Sequence, residues 1–253
     1  MSVTNESVRD DGPMMVDGDM KHHVVARDPE HSEAARKFRT LSSVAARVVG
    51  ASLVAGVAVE MVATVPAEAY DGAAAGAYAD QYAINPNSAY PLWNPDCTDF
   101  VSQALAAGSQ PPIMTGAQYD STADWWDFPN SDGVLIYTLG RQASFSATVA
   151  ADLKTFMGQS GFGTSEGWTS GTNAPPFTPN SVVTGDLVFY DWGQGEGISH
   201  VAMQAPGNGY DSYGWYGNWV DDHSNNHKHE HYALEGTNSY WQYTTIHFVH
   251  VNV

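Results

Sequence analysis

The chain's one thiol, Cys97, stands where a thiol could be reactive. Asn94-Pro95-Asp96 reads as a turn, and Cys97 opens the run CTDFVSQALAA, whose apolar spacing predicts a helix over 97–107 stopped by Gly108. Unpaired backbone N–H groups and the helix dipole favour negative charge at such a start, which enriches the nucleophilic thiolate. The same N–H groups can receive an oxyanion. Cys97 could equally be a small buried member of the stripe formed by Phe100, Val101, Ala104 and Leu105. A nucleophilic thiol needs a base. His200 opens the apolar segment SHVAMQA, about ten residues after the strand-like LVFYDW, and an imidazole titrates near working pH. A structural histidine at a sheet edge is the plainer reading of His200 taken alone. A third group must hold the imidazole, and the segment Val220 to His227 offers Asp222, His223 and Asn225. Spacing does not choose among them.

These residues need elements to bring them together. Aromatic and alanine positions over 70–83 predict a first helix, ended by Asn85-Pro86-Asn87. A third helix is expected over 146–158. Residues 109–133 and 159–181 read as loops. Strands follow: LVFYDW after Gly185-Asp186, SHVAMQA, a segment at 218–223, and the C-terminal YTTIHFVHVNV. Helices first and an antiparallel sheet afterwards make an α+β pattern, with the N-terminal helices packed on the sheet. Trp125-Trp126 and the Trp215 to Trp219 stretch could line a groove for sugar or peptide, or could be core.

Ahead of this domain, residues 1–35 are polar, mixed in charge and without periodicity, which predicts disorder. A basic patch at Arg36-Lys37-Phe38-Arg39, an apolar run from Val48 to Val59, Pro66, and small residues at Ala67 and Ala69 follow in the order of an export signal. Residues 36–69 are therefore expected to be a signal peptide cut after Ala69, leaving 70–253 as the mature domain. Twelve apolar residues are short of the roughly 18–20 needed to span a bilayer. The expected location is secreted, with cell-wall association.

Charge is uneven as well. The chain holds 10 basic and 28 acidic residues, and from Tyr70 onward only Arg141, Lys154 and Lys228 are basic. Such a surface repels phosphate backbones and anionic bilayers, so neither nucleic acid nor membrane is an expected partner of the mature domain. His227, His229 and His231 would share one face of a strand and could ligate zinc, but an exposed histidine-rich hairpin is the preferred reading, and no cofactor is expected.

Taken in order, these segments resemble the amidase_6-like amidase domain family of secreted Gram-positive proteins. The resemblance rests on Tyr70-Asp71, Tyr78-Ala79, Tyr82-Ala83, Asn87 and Tyr90, then Asp96-Cys97-Thr98-Asp99-Phe100-Val101-Ser102-Gln103. It continues through Gly185-Asp186, Tyr190-Asp191, His200-Val201-Ala202-Met203 and His223-Ser224-Asn225. It implies a papain-like cysteine hydrolase core related to the NlpC/P60 and CHAP enzymes, acting on an amide bond in peptidoglycan or a peptide. It further implies Cys97 as nucleophile, His200 as base and His223 as the polar third member, with Asp222 and Asn225 as alternatives. Asp96, Thr98 and Gln103 are the expected support around the oxyanion. Three positions depart from the family pattern: Asp99 replaces Asn, Gly72 replaces Arg, and Ser109 stands at the second Gly of a pair. A carboxylate at 99 could raise the thiol pKa if it points inward, or could cap the helix. Rival functions on the same fold are a non-catalytic wall-binding module and a thiol acyltransferase.

Overall fold

The computed structural model describes residues 69–252. The expected disordered segment 1–35 and the expected signal 36–69, Ala69 apart, lie outside the described residues.

Helix α1 (Gly72–Tyr82) starts where the Asp71 side chain accepts the Ala74 N–H at 3.0 Å, an N-cap that satisfies one orphan donor. Its small residues Ala75, Gly76 and Ala79 let it lie close to its neighbours. A Cβ on Gly72 would stand 2.5 Å from the Thr184 carbonyl oxygen, so no larger residue fits this contact. Helix α2 (Cys97–Ala107) is buried along its first nine residues. It ends in a Schellman arrangement: the Ser109 N–H reaches Ala106 O, the Gln110 N–H reaches Leu105 O, and Ser109 has φ +68°.

Three more helices follow: α3 (Gly133–Leu139), the single turn α4 (Phe145–Thr148) and α5 (Ala150–Ser160). The continuous helix expected over 146–158 is broken at Val149, whose φ and ψ of −125° and 119° are extended. Strands β1 (Gly163–Ser170), β2 (Leu187–Asp191), β3 (Ile198–Tyr210), β4 (Tyr216–Asp222), β5 (His227–His231) and β6 (Thr245–Val251) form one antiparallel sheet ordered β1-β6-β2-β3-β4-β5. The α+β expectation therefore describes the fold. Strand β1 lies inside the segment read as a loop. Its sequence GTSEGWTS has no apolar alternation because it is an edge strand, mostly exposed or half-buried.

The central strand β2 is apolar on both faces, as a strand covered on both sides must be. Leu187 and Phe189 join Val201, Met203, Phe100, Leu105, Leu153 and Phe156 in the core beneath the helices. Val188 and Tyr190 point the other way, into a second cluster with Ala202, Val220, Tyr232, Ile246 and Phe248. Trp125 and Trp126 are fully buried, so the first tryptophan pair belongs to the interior and not to a groove. The Gly185-Asp186 pair is structural. Gly185 has φ +91°, and a Cβ there would collide with the Gly72 backbone. Asp186 accepts N–H groups from Val183 and Val251, fastening the entry of β2 to the end of β6. No helix among the described residues is long and apolar enough to cross a membrane.

Candidate active site

Sheet register sets the site. Met203 pairs with Asp221, so Asp222 falls beside the opening of β3, where His200 stands. His200 Nε2 lies 3.4 Å from Asp222 Oδ2. This contact leaves the opposite side of the imidazole for the start of α2. There His200 and the Val201 backbone N–H act electrostatically on the Cys97 sulfur, and Thr98 Oγ1 stands 3.7 Å from it. Trp192 stacks on the His200 ring with centroids 5.2 Å apart, and Tyr190 flanks it at 5.4 Å. Cys97 and His200 keep 3% and 7% of their surface exposed, a narrow opening to solvent.

The electrostatics of this line favour separated charges. Burial pulls the His200 ring down, but the Asp222 carboxylate, followed by Cys97, outweighs it and raises the ring to about 10. Burial pushes the Cys97 thiol up. The His200 charge and the hydrogen bonds from His200, Thr98 and Val201 together bring it below its ordinary value. Burial also pushes Asp222 up, and His200 with His227 holds it below the usual carboxylate range. These directions all favour charge separation between the thiol and the ring, with a carboxylate behind the ring.

The residue against His200 is thus Asp222, the alternative third member, and His223 is elsewhere. His223 Nδ1 meets Asp96 Oδ2 at 2.7 Å, Nε2 meets Tyr82 O at 2.9 Å, and the ring stacks on Phe100. In β4 successive side chains point to opposite faces, and the strand ends at Asp222. His223 begins the turn that follows and tethers it to α1 and the approach to α2. Asn225 is exposed in that turn.

The supporting residues divide. Asp96 occupies the N-cap of α2 without capping it. Its carboxylate takes His223 and, at 3.3 Å, the Trp93 N–H. Thr98 adjoins the sulfur. Gln103 turns away from the sulfur: its Nε2 donates to Asp99 Oδ2 at 2.5 Å, and its Oε1 accepts from Tyr78 OH at 2.7 Å.

Asp99 neither caps the helix nor acts on the thiol as a charge. It is buried, and desolvation followed by the neighbouring Asp96 charge raises it to about 8, so it carries a proton at neutral pH. Sequence reasoning missed its neighbour Asp127. Burial, then Asp99 and Asp96, pushes Asp127 well above the carboxylate range, and neither of its oxygens has a hydrogen-bond donor. Asp127 sits in the stretch read as loop, where no spacing signal links it to Cys97. Sequence reasoning also missed Trp192 on His200, and His227, whose Nδ1 lies 3.2 Å from Asp222 Oδ2. The histidine-rich tract does not converge on one point: His227 meets Asp222, His229 meets Asp80, and His231 meets Glu235. His229 has φ +57°, which breaks the strand alternation that would have aligned the three rings.

Residues 69–249 match the family described as "Putative amidase domain". Over 43 residues the chain is 54% identical to "Uncharacterized protein YjcM" of Bacillus subtilis (strain 168), a stretch covering 17% of this chain and 10% of that protein. No solved structure gives a significant match. With most of its length, including all the residues that meet at the start of α2, inside the family match, the chain belongs to the amidase_6 family of amidase domains.

Proposed function

We propose that this protein is an exported, cysteine-dependent amidase with a papain-like core, cleaving an amide bond in a cell-wall peptide. The observation that carries this reading is the line Cys97–His200–Asp222 at the start of α2, a nucleophile, base and orienting acid in sequence. The Cys97 thiolate adds to the substrate carbonyl carbon. Backbone N–H groups in the first turn of α2, which have no intrahelical acceptor, receive the oxyanion. The His200 imidazolium then gives its proton to the departing amine, and a thioester remains. Neutral His200 next takes a proton from water, whose oxygen attacks the thioester. The acid leaves and the thiolate–imidazolium pair is restored. Asp222 keeps the ring oriented and stabilises its charge.

Leu92 and Trp93, on the loop leading into α2, are exposed. Exposed apolar side chains four and five residues ahead of Cys97 suit contact with a peptide chain, and the acidic composition of the region from Tyr70 onward suits work outside the cell. Kinship with the NlpC/P60 and CHAP enzymes and a peptidoglycan substrate belong to this proposal.

The test is digestion of purified peptidoglycan and its stem peptides, with products read by mass spectrometry. Wild-type protein releases new amine and carboxyl ends with glycan chains intact. Cys97→Ala abolishes release while the protein still folds, as read by an unchanged far-UV circular dichroism spectrum and a cooperative thermal transition. Equal release by Cys97→Ala would remove the cysteine mechanism. Release of free sugars would remove the amidase reading.

A further inference from the structure

Three ligand-type side chains from three elements converge beside the end of β4: Asp80 of α1, Asp221 of β4 and His229 of β5. Each offers one donor atom, and the three atoms lie within 4.8 Å of one another. We propose that this cluster is a divalent transition-metal site, of the zinc or manganese class, that clamps α1 to the β4–β5 hairpin.

Asp221 is the strongest observation. It is fully buried, and one oxygen accepts the His229 N–H at 2.8 Å. The other oxygen, Oδ2, has no hydrogen-bond partner. A carboxylate oxygen taken out of water with no donor is costly, and a bound cation satisfies it. The other two ligands are already oriented. Trp219 stacks on the His229 ring with centroids 4.6 Å apart and planes 12° apart, fixing the imidazole. Lys228 Nζ engages Asp80 Oδ2 at 3.1 Å and the Asp80 carbonyl at 2.9 Å, which leaves Asp80 Oδ1 for His229 Nε2 at 2.6 Å. In the loaded site the ion replaces the proton that Asp80 Oδ1 and His229 Nε2 share, and that proton goes to solvent.

Ligands about 2.0–2.2 Å from such an ion are a little over about 3 Å from each other, so small side-chain shifts complete the site. Asp80 and His229 are each about one-third exposed, which opens the remaining coordination position to water. An imidazole with two carboxylates selects zinc or manganese over calcium and magnesium, which favour all-oxygen shells. Asp221 is the immediate neighbour of Asp222, so a metal here would stiffen the strand end that faces His200. The inference does not depend on the amidase reading.

Isothermal titration of the full chain with Zn2+, backed by elemental analysis after dialysis, tests it. The expected result is one tight equivalent that persists in Cys97→Ala. The melting temperature should rise by about 5 °C or more when free zinc is a hundredfold above the dissociation constant. Asp80→Asn, at a partly buried helix position, and His229→Gln should each weaken binding at least tenfold, and Ca2+ should not compete. Absence of a tight equivalent, its loss in Cys97→Ala, unchanged affinity in both ligand variants, or displacement by Ca2+ would each overturn the site.

Discussion

Two ionisable side chains in the first turn of α2 meet opposite fates. Cys97 and Asp99 are two residues apart, and both are buried. Burial opposes charge on each. The sulfur faces His200 and ends below its ordinary pKa, whereas the Asp99 carboxyl faces Asp96 and Asp127 and rises to about 8. The helix start is common to both, so its dipole is not what separates them. Burial is the largest influence on both, and only at Cys97 is it outweighed, by the His200 charge and nearby donors; at Asp99 the Asp96 charge adds to it. One side of the turn becomes a charged pair able to do chemistry, and the other becomes a protonated acid cluster that packs.

The charged side depends most on the carboxylate behind His200. Asp222→Asn should lower kcat/KM by about a hundredfold or more, because the imidazolium loses its counter-charge and its orientation. Alkylation of Cys97 by iodoacetamide near neutral pH should slow in the same variant. His223→Gln should behave differently. It removes the ring nitrogen that meets Asp96 Oδ2 and costs about 1–3 kcal/mol of stability, while kcat stays within a few-fold. A larger kcat loss in His223→Gln than in Asp222→Asn would restore His223 as the third member.

The protonated side is broken with pH. Asp99 has an ordinary value of 3.8 and a folded value of about 8, so between those values the folded state binds more protons than the unfolded one. Stability therefore falls as pH rises from about 4 to 8 and flattens above that. The slope contributed by one such group approaches about 1.4 kcal/mol per pH unit. Asp99→Asn should remove this contribution and make the protein more stable than wild type at pH 8, measured by urea unfolding at pH 5, 6.5 and 8. Parallel pH profiles for the two proteins would show that Asp99 is ionised throughout.

Sequence and structure agree where local pattern suffices. The helix start at Cys97, the stop at Gly108, the two-sided apolar β2 and the opening of β3 at His200 all follow from periodicity and punctuation. Long-range register does not. Asp222 and His223 are adjacent in sequence, and only the pairing of Met203 with Asp221 decides which reaches His200. Asp127 was invisible for the same reason, since a tertiary approach makes it a neighbour of Asp99. Polar β1 carried no signal because an exposed edge needs no apolar face.

The smallest expected effect lies at the other end of α2, where no titrating group is involved. The Schellman arrangement requires a left-handed residue after Gly108, and Ser109 supplies it at φ +68°. A side chain with a Cβ is strained there, while glycine is not, although glycine gives the unfolded chain more freedom to lose. The strain exceeds that entropy, so Ser109→Gly should stabilise the protein by about 0.5–1 kcal/mol. The gain should be the same at pH 5 and pH 8, in contrast to Asp99→Asn, since it acts on backbone conformation alone. A gain that varied with pH would mean that the end of α2 is coupled to the acids at its beginning, and the two ends could no longer be treated as independent.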